Sequence, residues 1–182
     1  MITRGELWGV PTTRTQADVV VHGDLELASS STDNRLILNG GDIAHSLGDP
    51  QAPAIGASCT EVPIDALRLV ITLTNGATIS QIAASHVMIG HWLRGRLICV
   101  SNSGFIGTKN VSPRAHPNDG LFDVLTLHSS MGIQQRFRAR KKSLLGIHTP
   151  HPFIETSRAR SIEFASSSRS EILCVDGCRI RL

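Results

Sequence analysis

The stretch NVSPRAHPNDGLFDV, residues 110–124, runs from a proline-punctuated segment through an Asp-Gly pair into an apolar alternation. A glycine after aspartate supplies the positive φ that a tight turn needs, so Asp119-Gly120 reads as a turn. FDVLTLH (122–128) reads as the strand that leaves it. The same pair suits a hard-cation site, in which a carboxylate and neighbouring backbone carbonyls form an oxygen shell of the Mg²⁺ or Ca²⁺ kind. Asp119 is the carboxylate such a site would use.

Outward from there the pattern is strand-rich. Leu67, Leu69, Ile71 and Leu73 alternate with Arg68, Val70, Thr72 and Thr74, the period-2 signature of a half-buried strand. Asn75-Gly76 is a type I′ turn signal leading into residues 77–82. RLICVS (96–101), residues 161–165 and residues 171–175 are further strand candidates. Asp176-Gly177 returns the last of these into residues 178–182 as a hairpin, on which Cys178 shares a face with Ile180 and Leu182 and is expected to pack in the core. Upstream, ADVVV (17–21) and RLIL (35–38) are short strands. NGGD (39–42) is a turn whose Asp42 would cap a helix over residues 43–47, and the proline-bearing residues 51–63 read as a loop. One longer helix is expected over residues 131–145 (MGIQQRFRARKKSLL), capped by Ser130 and closed by Gly146. Its inner stripe would be Ile133, Phe137, Leu144 and Leu145, with Arg136, Arg138, Arg140, Lys141 and Lys142 covering most of the rest. Many strands with few helices argue for a β-sandwich-like domain with helical additions.

Composition narrows the function classes. With 182 residues, 41% of them hydrophobic and 18% charged, the chain is long and apolar enough to bury a core and is not disordered. No apolar run approaches the roughly 20 residues of a membrane span, and no signal-peptide pattern opens the chain, so a cytoplasmic protein is expected. The formal charge of +3 is not gathered into a stripe and tyrosine is absent, which argues against a nucleic-acid surface. Four scattered cysteines suit reduced thiols in a core. His148, His151, Cys174 and Cys178 lack the paired spacing of a zinc site. A GxSxG elbow, a Walker A loop and a dinucleotide glycine fingerprint are all missing. The basic helix is either a solvated charged face or a docking surface for anionic phospholipid headgroups, with Arg136, Arg140 and Lys141 as the contacts.

In type and order, NSGFIG (102–107), PRAHPNDGLFDV (113–124), Gly146-Ile147-His148 and Val175-Asp176-Gly177 resemble the diacylglycerol kinase-like lipid kinase family. The resemblance implies a mainly β, α+β chain. Residues 51–182 would form a β-sandwich like the C-terminal domain of the diacylglycerol kinase/NAD kinase-like fold, and residues 1–50 a short α/β remnant of a nucleotide-binding domain. It implies a structural Mg²⁺ on Asp119 with the backbone carbonyls of His116 and Leu121. GDIAHSLG (41–48) resembles the family's G-T-G-N-D-x-A-R-x-L-G segment. The family's G-G-D-G-T phosphate loop is represented only by HGDLE (22–26), and its hairpin glutamate is Cys178 here. Backbone N–H groups cradle phosphates only where no Cβ blocks them, and a thiol on an apolar face is a poor base toward an alcohol. Asp24 and Asp176 are then the only retained catalytic candidates, and ATP is not expected to bind. The expectation is a lipid-headgroup-binding, regulatory or assembly module, cytoplasmic and peripheral to the membrane, with an anionic phospholipid surface as partner. The alternatives are an ATP-dependent lipid kinase completed by a separate nucleotide-binding subunit, and a structural homo-oligomer.

Overall fold

The computed structural model describes residues 8–30, 34–165 and 172–180. First come β1 (Val10–Thr13), β2 (Val19–Val21), α1 (Asp24–Ser29), β3 (Leu36–Leu38), α2 (Asp42–Ser46) and β4 (Ser58–Glu61). They are followed by β5 (Leu67–Thr72), β6 (Thr78–Ala83), β7 (His86–His91) and β8 (Arg94–Ser101). After the short pair β9 (Phe105–Ile106) and β10 (Lys109–Asn110) come β11 (Phe122–Leu127), α3 (Ile133–Ser143) and β12 (Ile154–Ala159). The hairpin β13 (Leu173–Val175) and β14 (Cys178–Ile180) ends the described chain.

Strands dominate and helices are few, as the mainly β reading expects. The centre is an antiparallel sheet in the order β12-β11-β8-β7-β13-β14. Alternation along each strand sorts its side chains between two cores. Ile98 and Val100 of β8 join Val87, Val124 and Val175 beneath Leu67 and Ala83 of the β5–β6 hairpin. Leu97 and Cys99 of the same strand join Leu125, Leu127, Met131 and the α3 residue Ala139. The sheet is therefore the middle of three layers. That is why LICV in β8 is a continuous apolar run and not an alternating one: both of its faces are covered.

Upstream, β2 and β3 pair in parallel, Val19 opposite Leu36 and Val21 opposite Leu38. Parallel neighbours need a crossover connection, and α1 lies on it. β1 pairs antiparallel with β4, Val10 opposite Glu61, which ties residues on either side of position 50 together.

Several local expectations are corrected. The segment 161–165 is not a strand; β12 lies earlier, at Ile154–Ala159, where it pairs with β11. β4 occupies part of the expected 51–63 loop, and β1, β7 and α1 were not anticipated. At Asn75-Gly76 only Gly76 has positive φ, and Leu73 bonds Ala77 across three residues, so the turn carries a left-handed glycine at its end and is not type I′. Asp176-Gly177 does match that type, with φ of 46° and 79°. Cys178, at its far side, is exposed and not in the core. The expected strand start at Glu171 and end at Leu182 lie outside the described residues.

Helix α3 reverses its expected orientation. Arg136, Ala139 and Ser143 face the sheet, while Ile133, Phe137, Leu144 and Leu145 are exposed. The reason is Arg136. Its guanidinium donates to the carbonyl oxygens of Met131, Trp92, Gly95 and His128. A cation can be buried when each of its N–H groups finds an acceptor. Ala139 and Ser143 then leave room for the helix to lie close to the sheet. Gln135, not Ser130, satisfies the helix start by accepting from the Gly132 N–H at 3.1 Å. Gly146, with φ of 67°, closes the far end as the sequence suggests.

Candidate functional site

Two clusters and one cavity hold the chemistry-bearing side chains. The first cluster lies where α2 meets the central sheet. Asp24 opens α1, and its carboxylate accepts from the backbone N–H groups of Asp42 at 2.6 Å and Ile43 at 3.0 Å. Asp24 therefore caps α2 from another element, a role expected of Asp42. Gly41 permits this approach: a Cβ there would stand 2.7 Å from the Asp24 Oδ1. Burial raises the Asp24 pKa, opposed by those two N–H donors and reinforced by the charges of Asp42 and Asp176. Asp42 is thereby freed to accept from the Gly107 N–H at 2.7 Å and to face His86 Nδ1 at 3.2 Å.

Asp176 sits opposite, on the β13–β14 turn. Its carboxylate accepts from the N–H groups of Ala84, Ser85 and His86 at 2.8–2.9 Å. Ser103, buried in the NSG segment, bonds Ser46 Oγ at 2.7 Å and the Asp42 carbonyl at 3.0 Å. The two catalytic candidates thus lie in one region, but each carboxylate is engaged with backbone N–H groups. Such bonds hold loops together and leave little of either carboxylate to take a proton from a substrate hydroxyl.

The second cluster is the Asp119 turn. Asp65 anchors its loop, donating its N–H to the Pro117 carbonyl at 2.7 Å and accepting from the Gly120 N–H at 2.7 Å. Asp119 Oδ1 accepts from the Leu121 N–H at 3.0 Å, and Oδ2 is paired with Arg158 of β12. Arg158 also faces Asp123, Nε to Oδ2 at 3.4 Å. His116 Nδ1 accepts from the Asn118 N–H at 3.2 Å. The magnesium shell the resemblance implies would use the Asp119 carboxylate with the backbone carbonyls of His116 and Leu121; here the carboxylate is engaged with the Leu121 N–H and the Arg158 guanidinium. Among the described residues no group of three or more His, Cys, Asp or Glu is placed to hold a metal ion.

The cavity lies between α3 and the central sheet. Its volume is about 120 Å³, and Met88, Trp92, Leu125, Leu127 and Ile154 supply apolar walls. Lys109 and Arg140 line it too, and Arg140 lies 6.0 Å from the Trp92 ring centre. His148 closes one side; it is buried, and neither ring nitrogen has a hydrogen-bond partner of good geometry among the described residues. Burial pushes its pKa down, and the Val111 backbone opposes this only in part. The Cys99 thiol in the same wall is pushed up to about 12 by burial and is no nucleophile.

Of the three expected headgroup contacts, Arg140 and Lys141 are exposed on α3, while Arg136 is fully buried and unavailable to any headgroup. Sequence reasoning missed the cavity. Its one usable signal was the pair of small residues Ala139 and Ser143, four apart on a helix otherwise crowded with long side chains. No helix among the described residues is long and apolar enough to cross a membrane.

The central antiparallel sheet is covered on one face by the β5–β6 hairpin and on the other by α3, and it ends in a hairpin that turns through Asp176-Gly177. Residues 60–180 match the family model of the YegS C-terminal NAD kinase beta sandwich-like domain. The match spans more than half of the chain, and the chain belongs to that family of diacylglycerol kinase-like lipid kinases. No curated protein matches it.

Proposed function

We propose that this chain is a lipid-binding module of the lipid kinase family that does not phosphorylate lipid by itself. The observation that carries the reading is the apolar cavity under α3. A cavity of roughly this size with apolar walls accepts a small apolar group, and here Lys109 and Arg140 stand in its wall to meet an anionic headgroup. A hydrocarbon chain would lie against Trp92, Leu125 and Ile154, with the phosphate of its headgroup toward the two cations. On this reading β2, α1 and β3 are the remnant of a nucleotide-binding domain. Its support is the parallel crossover they form and the HGDLE sequence that stands where a phosphate loop would be. The engagement of Asp24 and Asp176 with backbone N–H groups supports the lack of catalysis.

The test uses Trp92 as reporter. In a Trp8→Phe variant it is the one tryptophan left, and titration with a short-chain phosphatidic acid carrying brominated acyl chains should quench it saturably. Ala139→Leu, which fills the cavity, should weaken that quenching while the far-UV spectrum is unchanged. Absence of quenching would remove the lipid reading. Stoichiometric heat on titration with Mg-ATP would remove the inactivity.

A further inference from the structure

The side of α3 that turns away from the sheet is apolar and cationic together. Ile133, Phe137 and Leu144 are 46%, 52% and 50% exposed, and at 100° per residue they fall within an arc of about 40°. Arg140 borders the arc on one side and Lys141 on the other. Beyond the helix the apolar surface continues through Leu145 and Ile147, 74% and 58% exposed. Leu93, at the tip of the β7–β8 turn, is exposed too, and Arg136 fixes that turn against the helix start through the Trp92 and Gly95 carbonyls.

Exposed apolar residues grouped in this way mark a surface that meets something, and the charges around them say what. The sequence of α3, IQQRFRARKKS, contains no acidic residue. Arg138, Arg140, Lys141 and Lys142 are all exposed, and none has an ion-pair partner among the described residues. The complement of such a face is a surface that is negative outside and hydrocarbon within. We propose that α3, with Leu145 and Ile147 beyond it and Leu93 beside it, is an interfacial anchor seated on an anionic phospholipid bilayer. Phe137, Leu144 and Leu145 enter the acyl boundary while the four cations lie among the headgroups. Arg140 belongs both to this face and to the cavity wall, so docking brings the cavity up to the lipid layer. In that respect the inference deepens the lipid-binding reading and rests on it for its purpose, though not for its test.

The experiment is co-sedimentation of the full chain with vesicles of phosphatidylcholine alone and of phosphatidylcholine with phosphatidylglycerol. Binding is expected to the anionic vesicles and to weaken as salt is raised. The Phe137→Ser/Leu145→Ser variant should bind them about tenfold more weakly, with its thermal melt and its Trp92 quenching by short-chain lipid unchanged. No sedimentation with anionic vesicles, or equal sedimentation of the variant, overturns the anchor. So does a dimer in light scattering that the same variant dissolves, because the face would then belong to a second copy. The cavity reading fails separately: vesicle docking that persists without short-chain quenching leaves the anchor standing and removes the cavity as a lipid site.

Discussion

Arg136 Nη1 donates to the carbonyl oxygen of Trp92 at 2.9 Å, so a fully buried cation on α3 holds the turn between β7 and β8. The same guanidinium reaches His128 at 3.0 Å and Met131 at 2.9 Å, and also Gly95. Removing it leaves four carbonyl groups, from the β7–β8 turn and from the connection between β11 and α3, without that donor. Each such loss is expensive, and the segments come apart together. Arg136→Met is expected to lower unfolding stability by about 3 kcal/mol. Arg136→Lys should do little better, since one ammonium cannot reach the same spread of acceptors. Urea denaturation measures both, and a lysine variant as stable as the parent would refute the clamp.

This arginine also shows where the sequence was legible and where it was not. The strand at 67–72 follows from alternation, the strand at 96–101 from a short apolar run, and the Asp176-Gly177 hairpin and the end of α3 at Gly146 from turn chemistry, all of which act over a few residues. The facing of α3 does not. Its apolar residues form a plausible inner stripe, and only the carbonyls of a distant turn make Arg136 the better inward residue. The same limit applies to Asp24, whose capping partners lie 18 and 19 residues along the chain, and to Arg158, which meets Asp119 across 39. The cavity was illegible for a related reason, since its walls come from β7, β8, β11, β12 and α3 together.

The pairing of Arg158 with Asp119 makes a statement about magnesium. Two carboxylates, Asp119 and Asp123, share this one guanidinium. Burial raises the Asp123 pKa and the Arg158 charge opposes it. With Arg158 in place, neither added Mg²⁺ nor a chelator should move the thermal midpoint. Arg158→Ala leaves the two carboxylates to repel one another and is expected to cost about 1 kcal/mol, the pair being partly solvated. Millimolar Mg²⁺ should then restore part of that loss, because the vacated turn can accept a hard cation. Differential scanning fluorimetry with and without the ion reads both effects. A parent protein that Mg²⁺ stabilises would show that the turn is a metal site after all.

His148 gives the protein a pH dependence whose sign follows from its surroundings. Burial among the apolar walls holds its pKa below the usual 6.5, so the folded state binds this proton less readily than the unfolded chain does. The stability associated with the neutral ring is fully present above pH 6.5 and is lost as pH falls through the window below it. Asp24 and Asp123 work the other way, since burial raises both above 3.8 and they favour the folded state as pH approaches that value. A substitution at position 148 separates these contributions. His148→Leu puts an apolar side chain in the wall and removes two ring nitrogens that have no hydrogen-bond partner of good geometry among the described residues, so it should stabilise the protein by about 1 kcal/mol near neutral pH. The gain should be larger at pH 5 than at pH 7.5, because only the histidine form has a proton to take up. Urea midpoints for the two proteins across that range give the comparison. A gain that is equal at both pH values would mean that His148 is already solvated in the folded state, and a loss at both would mean that its nitrogens have partners in solution.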